Sequence, residues 1–216
     1  MDPRQWTLHL APGTCAQAVH IALCEAGAPV QLARVDFASG QQRSPAYLAL
    51  NPLGRVPALV TEQGCLVETP ALLAFVAQAF PEARLGPVDD AFAWARLQAF
   101  HSYLASTVHV AHAHKRRGSR WSDDPASWAA MQAKVGPNMH EAFTLIGRDW
   151  WQGPWVFGSQ YTVADPYLYT IGEWLEGDGV DTAAFPWLLE HRERMRARPA
   201  VQQAAAQLQA LVEVAA

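Results

Sequence analysis

Apolar and polar positions change period several times in the first eighty or so residues, then settle into a helical rhythm. Trp6 to Leu10 and Val30 to Asp36 read as short strands, and the alanine-rich stretch between them, Cys15 to Ala26, has helical spacing. Val56 to Thr61 and Cys65 to Glu68 predict a hairpin around Glu62-Gln63-Gly64, followed by a helix from Pro70 to Ala79. Strand, helix, strand, hairpin and helix is the order that lets helices cover a small mixed sheet. Phe80-Pro81 to Gly86-Pro87 interrupts the periodicity and predicts a linker. After it, residues 91–115, 125–147, 163–175, 185–197 and 199–214 carry helical spacing, and no segment reads as a strand. Tyr161-Thr162-Val163-Ala164-Asp165 has a capping residue with a carboxylate three positions on, which predicts a helix start. The pattern therefore predicts an α/β + all-α chain, with domains at 1–82 and 88–216.

Composition narrows the class. Half of the 216 residues are hydrophobic, 17% are charged and nine are tryptophan, which favours a compact globule over a disordered chain. A net charge of −4 gives no general attraction to nucleic acid or to an anionic membrane, so neither is expected as a partner. Lys115-Arg116-Arg117, with Arg120 beyond, reads first as a solvated helix end complementing the dipole, and second as a steering patch for an anion. The three cysteines, Cys15, Cys24 and Cys65, form neither a disulfide framework nor a metal-binding spacing, which fits a reducing compartment. No metal is expected. Met1-Asp2-Pro3-Arg4-Gln5 lacks the layout of a signal peptide, and the apolar run from Pro70 to Phe80 falls short of the ~20 residues that span a bilayer, so a cytoplasmic protein is expected.

Leu50-Asn51-Pro52-Leu53-Gly54-Arg55-Val56-Pro57-Ala58-Leu59 is the most informative segment. Proline cannot donate to a ladder, so Pro57 is expected where the chain turns into a sheet edge, a position that admits a cis bond. The Val56 main chain would then be unpaired and able to dock an extended ligand. About ten residues on, Glu68-Thr69-Pro70 reads as a cap followed by proline at a helix start, aiming amides forward. Together the two segments suggest a site for a small peptide-like anion. Cys15 stands at another helix start, after Gly13-Thr14, where amide dipoles favour a thiolate. The alternative for Cys15 is a small buried apolar residue, which is also the reading of Cys24 and Cys65.

These segments resemble the glutathione-binding half of cytosolic glutathione S-transferases, and the layout as a whole resembles that superfamily: a thioredoxin-like N-terminal domain, then an all-helical one. Ala11-Pro12-Gly13-Thr14-Cys15 and the helix behind it are nearest the bacterial beta class. The resemblance implies that Arg55, Val56 and Pro57 line glutathione, and that Glu68 and Thr69 hold its γ-glutamyl end. It implies that Cys15 contacts the sulfur or forms a mixed disulfide with it. Thr14 is either a helix cap or a hydroxyl donor to the thiolate, since His9, Leu10 and Ala11 stand where many relatives carry a tyrosine. His109 is either a donor near the sulfur or part of a helical surface cluster with His112 and His114. The loop from Phe37 to Ser44 has no lysine for the glycyl carboxylate, leaving Arg43 as a substitute. Trp150, Trp151 and Trp155 read as core packing, or alternatively as a wall for the second substrate.

Three functions follow from the resemblance. The leading one is transfer of the glutathione thiol, as co-substrate, to a small apolar electrophile by a homodimer. The second is glutathione-dependent thiol exchange through Cys15. The third is a non-enzymatic adaptor or stress protein built on the same fold.

Overall fold

The computed structural model describes residues 6–213; the leader reading at residues 1–5 and the expected helix end at Val214 lie outside them. Four strands, β1 (Trp6–Leu10), β2 (Val30–Arg34), β3 (Ala58–Thr61) and β4 (Gly64–Val67), form one sheet in the order β2-β1-β3-β4. β1 pairs parallel to β2 and antiparallel to β3, and β3 pairs antiparallel to β4. A parallel pair needs a crossover, and helix α1 (Ala16–Glu25) supplies it. α2 (Pro45–Leu50) and α3 (Thr69–Ala79) follow β2 and β4. Leu8 and Leu59, partners across β1 and β3, are fully buried, as are Ile21 and Leu23 of α1 and Leu72 and Leu73 of α3. Helices on a small mixed sheet are what the alternation of periods predicted, and the arrangement is the thioredoxin-like one that the resemblance implied.

One expectation about the sheet is corrected. Pro57 does not turn into an edge: β3 lies between β1 and β4, and the edges are β2 and β4. Pro57 avoids the ladder because pairing starts one residue later, at Ala58, which faces His9 on one side and Val67 on the other. The Val56–Pro57 bond is cis.

The helical segments of the second half are α4 (Ala91–Tyr103), α5 (His109–Ala113), α6 (Pro125–Leu145), α7 (Ala164–Gly172), α8 (Pro186–Arg196) and α9 (Pro199–Glu213). The predicted helix over 91–115 runs through a π-helical turn at Leu104–Val108, and α6 runs into another at Ile146–Trp150. Neither turn was visible in the spacing. The start of α7 is as predicted: the Asp165 carboxylate accepts from the Thr162 amide at 2.8 Å, and the Thr162 hydroxyl accepts from the Ala164 amide at 3.3 Å. Asp165 also takes the Val156 amide at 2.9 Å and lies 3.2 Å from His191 Nε2, so a local cap doubles as a tertiary anchor. The three tryptophans read as packing do pack: Trp150 on Phe100, Trp151 on Trp187 and Trp155 on Tyr161, at centroid distances of 5.3, 5.1 and 5.1 Å.

The chain divides into two compact units, and the boundary differs from the expected 82/88 break. One unit runs to Ala91 and regains the chain from Arg196; the other is Phe92–Met195. α9 therefore belongs with the sheet and not with the other helices. Its Gln207 side chain meets His20 Nε2 at 2.8 Å, and Arg198 Nη2 donates to Glu25 at 2.9 Å, both partners being on α1. Periodicity predicts α9 as a helix but carries no information about which surface its apolar face meets.

Candidate active site

The candidate site in the sheet-bearing unit is built from three chain segments. The first is the turn into α1. Cys15 is the residue before the helix, 7% exposed, and its Sγ lies 3.7 Å from the Val56 carbonyl oxygen. That carbonyl is therefore engaged, which corrects the expectation of a wholly unpaired Val56 main chain. Thr14 makes no cap bond: its hydroxyl donates to the Ala11 carbonyl at 2.6 Å and closes the turn. A hydroxyl has one proton, so in this arrangement Thr14 has none to give a bound sulfur. Burial and the neighbouring Glu25 push the Cys24 thiol up to about 11, and burial raises that of Cys65.

The second segment is the loop from Asn51 to Pro57. Gly54 has φ 61°, and a Cβ there would come within 2.8 Å of the Gln42 carbonyl and 3.2 Å of Arg43 Nη1. Arg43 therefore lies over this loop, two residues from Val56 by way of Gly54 and Arg55. Arg55 turns its side chain to solvent, while its carbonyl accepts from the Tyr47 hydroxyl at 2.6 Å and from Asn51 Nδ2 at 2.9 Å. Pro57 is buried.

The third segment is the start of α3. Glu68 is exposed and has φ 70° and ψ 119°, which L-residues rarely adopt and which costs roughly 1–3 kcal/mol. The expected cap is corrected by one residue: Glu68 holds the cap position with no side-chain cap bond, and Thr69, 4% exposed, is the first helical residue, with Pro70 after it.

Comparison with known proteins identifies the family. The family model for the glutathione S-transferase N-terminal domain matches residues 5–78. A glutathione transferase homologue from Sulfitobacter, solved with bound glutathione, is 46% identical with a TM-score of 0.91, covering 94% of this chain and 98% of that one. A beta-class glutathione S-transferase from Sphingomonas chungbukensis is 30% identical at a TM-score of 0.79, with the same coverage. Among curated proteins, glutathione S-transferase GST-4.5 of Xanthomonas campestris is 29% identical over 91% of this chain and 96% of its own length. The chain belongs to the glutathione S-transferase family.

Within this member of the family, the structure brings Cys15 and Val56 into contact and places Arg43 over the same loop. His109 belongs to the helical unit. Its ring meets Trp174 edge-on at 5.1 Å, and His112 stacks on the same indole at 4.3 Å. His112 Nδ1 is 2.7 Å from the buried Asp178 carboxylate, which also takes Lys115 Nζ at 3.2 Å. His114 is elsewhere, against Trp121 at 4.3 Å, so the three histidines do not form one surface cluster. The helical unit also has a cavity of about 450 Å³ between the α4–α5 segment and α6, lined by Tyr103, Thr107, Val110, His114, Glu141 and Leu145 among others; His109 is not part of its wall. Among the described residues no group of three or more potential ligands could hold a metal, and no helix is long and apolar enough to cross a membrane.

Sequence reasoning missed Tyr47, the α2 helix that carries it, and the side-chain role of Asn51. The signal was present. Ser44-Pro45 is a cap-then-proline pair of the kind read at Thr69-Pro70, and here the cap forms: the Ser44 hydroxyl accepts from the Tyr47 amide at 3.2 Å.

Proposed function

We propose that this chain binds glutathione in the sheet-bearing unit and conjugates its thiol to a small apolar electrophile. The observation that carries the reading is the contact of Cys15 Sγ with the Val56 carbonyl, on the loop whose cis-proline segment leads into β3. A tripeptide lying along Val56 has its cysteinyl thiol beside Cys15. Its γ-glutamyl carboxylate meets the Thr69 hydroxyl and the first amides of α3, and its ammonium meets the Glu68 carboxylate. Arg43, whose side chain lies against Gly54, is the candidate for the glycyl carboxylate, in place of the lysine that the resemblance leads one to expect. The chemistry is attack of a glutathione thiolate on an electrophilic carbon with loss of a leaving group, the thiol proton passing to solvent. Binding both reactants gains rate through proximity and through stabilising the thiolate. His109 enters this proposal by resemblance, as a donor to the sulfur. A homodimer enters it in the same way.

Calorimetric titration with reduced glutathione, on the parent and on Glu68→Ala and Thr69→Ala, tests the site. Each substitution removes a charge-assisted or helix-terminal contact, so each weakens binding by about tenfold. A dissociation constant that neither change moves removes the assignment.

Glutathione-dependent exchange through Cys15 is the second reading, and the same contact supports it, because it puts a protein sulfur where the cysteinyl residue of glutathione would lie. Cys15→Ala separates the two. Loss of disulfide reduction with conjugation retained favours exchange, and loss of conjugation favours transfer. A protein that binds glutathione but turns over neither class of substrate is the non-enzymatic alternative.

A further inference from the structure

We propose that Tyr47 and Asn51 are positioning residues of the glutathione site: by occupying the Arg55 carbonyl together, they set the direction of the Val56 amide and carbonyl. This rests on the reading that glutathione lies along Val56. The two side chains stand four residues apart on α2 and its C-terminal end, a spacing that points them to one side of a helix. Both residues are buried, at 4% and 2% exposure. The Tyr47 hydroxyl and Asn51 Nδ2 donate to the same oxygen, at 2.6 and 2.9 Å. A carbonyl has two lone pairs, so both are used and the Arg55–Val56 peptide plane is fixed. That peptide is trans, so its N–H points away from the Arg55 oxygen and from the side chains that hold it. The Val56 carbonyl, one peptide on, is the group that meets Cys15 Sγ.

The two donors are themselves held. The Tyr47 ring sits edge-on to His9 at 5.8 Å, and its amide donates to Ser44 Oγ. Asn51 Oδ1 accepts from the Leu53 amide at 3.1 Å, and the Asn51 carbonyl accepts from the Gly54 amide at 2.9 Å. Burial pushes the Tyr47 hydroxyl up to about 12, so it remains a donor across the neutral range. The hydrogen bonds run from a short helix into a loop whose far side faces the ligand. Their effect on binding is thus one of direction: neither side chain touches glutathione in this arrangement.

The test is Tyr47→Phe, which keeps the ring and removes one donor, compared with Glu68→Ala and Thr69→Ala in the same titration. The expected result is a dissociation constant for glutathione raised about fivefold, the size of one buried neutral hydrogen bond. With an aryl halide as second substrate, KM for glutathione rises more than kcat falls. A residue that only supported the fold would lower Tm and leave the affinity of the remaining folded protein unchanged. Iodoacetamide labelling followed by peptide mapping gives a second readout, because loosening the Arg55–Val56 peptide shifts the Val56 carbonyl against Cys15 Sγ, which changes the alkylation rate of Cys15 and leaves that of Cys24 alone. An unchanged dissociation constant in Tyr47→Phe, with Glu68→Ala and Thr69→Ala still weakened, overturns the positioning role by itself. No change in any of the three overturns the binding site along with it.

Discussion

The Val56 loop and the His109 region are held by opposite kinds of interaction. In the loop, neutral donors from Tyr47 and Asn51 converge on a main-chain carbonyl, and the next carbonyl takes a thiol. Around His109, two imidazoles sit against one indole, and the outer imidazole and a lysine share the buried Asp178 carboxylate. Neutral hydrogen bonds to the backbone fix direction and do not titrate near neutral pH. A buried carboxylate holds its partners strongly, and removing it leaves Lys115 without its counterion and His112 without its hydrogen-bond partner. The first arrangement suits recognition of a peptide backbone, and the second suits fixing the face of a helix.

Acid gives the largest expected effect and bears on the helical unit. Burial depresses the pKa of His101 from 6.5 to about 3, and that of His20 in the other unit shifts in the same direction. The unfolded His101 imidazole takes up a proton near pH 6.5, whereas the folded one stays neutral down to about 3. Stability is therefore fully present above 6.5 and falls across that window, by up to about 1.4 kcal/mol per pH unit for one such group. Urea midpoints measured from neutral pH down to about pH 5 follow this loss. His101→Phe flattens the slope, and an equally steep slope in that variant would count against it.

Asp178→Ala comes next, at about 2–3 kcal/mol, the low side of what breaking a buried pair costs because His112 and Lys115 keep 29% and 26% exposure. Chemical denaturation reads it. If the change is neutral, the ionic half of the comparison fails. Gly54→Ala probes the loop at about 2 kcal/mol, since a left-handed φ and a 2.8 Å approach to the Gln42 carbonyl act together. Glutathione affinity should fall with it. The smallest effect has the opposite sign. Glu68→Gly relieves the positive φ and raises stability by about 1 kcal/mol, while weakening glutathione binding. A variant that loses stability would show that Glu68 is not strained.

The sheet-bearing unit was more legible than the helical one, for a reason visible in individual residues. Proline at 57, with no amide to give a ladder, and proline at 70, in the first turn of a helix, each answer to a backbone condition, and such conditions appear in the sequence as residue types. Asp165 was legible as a cap, yet its bonds to Val156 and His191 were not, because they join residues distant along the chain. His109 shows the same limit. Its place on a helix was predicted, but its contact with Trp174 depends on how two helices pack. Tyr47 lay behind a signal that was available at Ser44-Pro45.

Sequence alone determined the kinds of element and their order, because local rules on φ, donors and period act within a few residues. Tertiary structure decided that β3 is interior, that α9 packs on α1, that Thr14 is spent on Ala11, and that Cys15 meets the Val56 carbonyl. Each of these depends on which surfaces meet, and a surface encounters its partner only after the chain has folded back on itself.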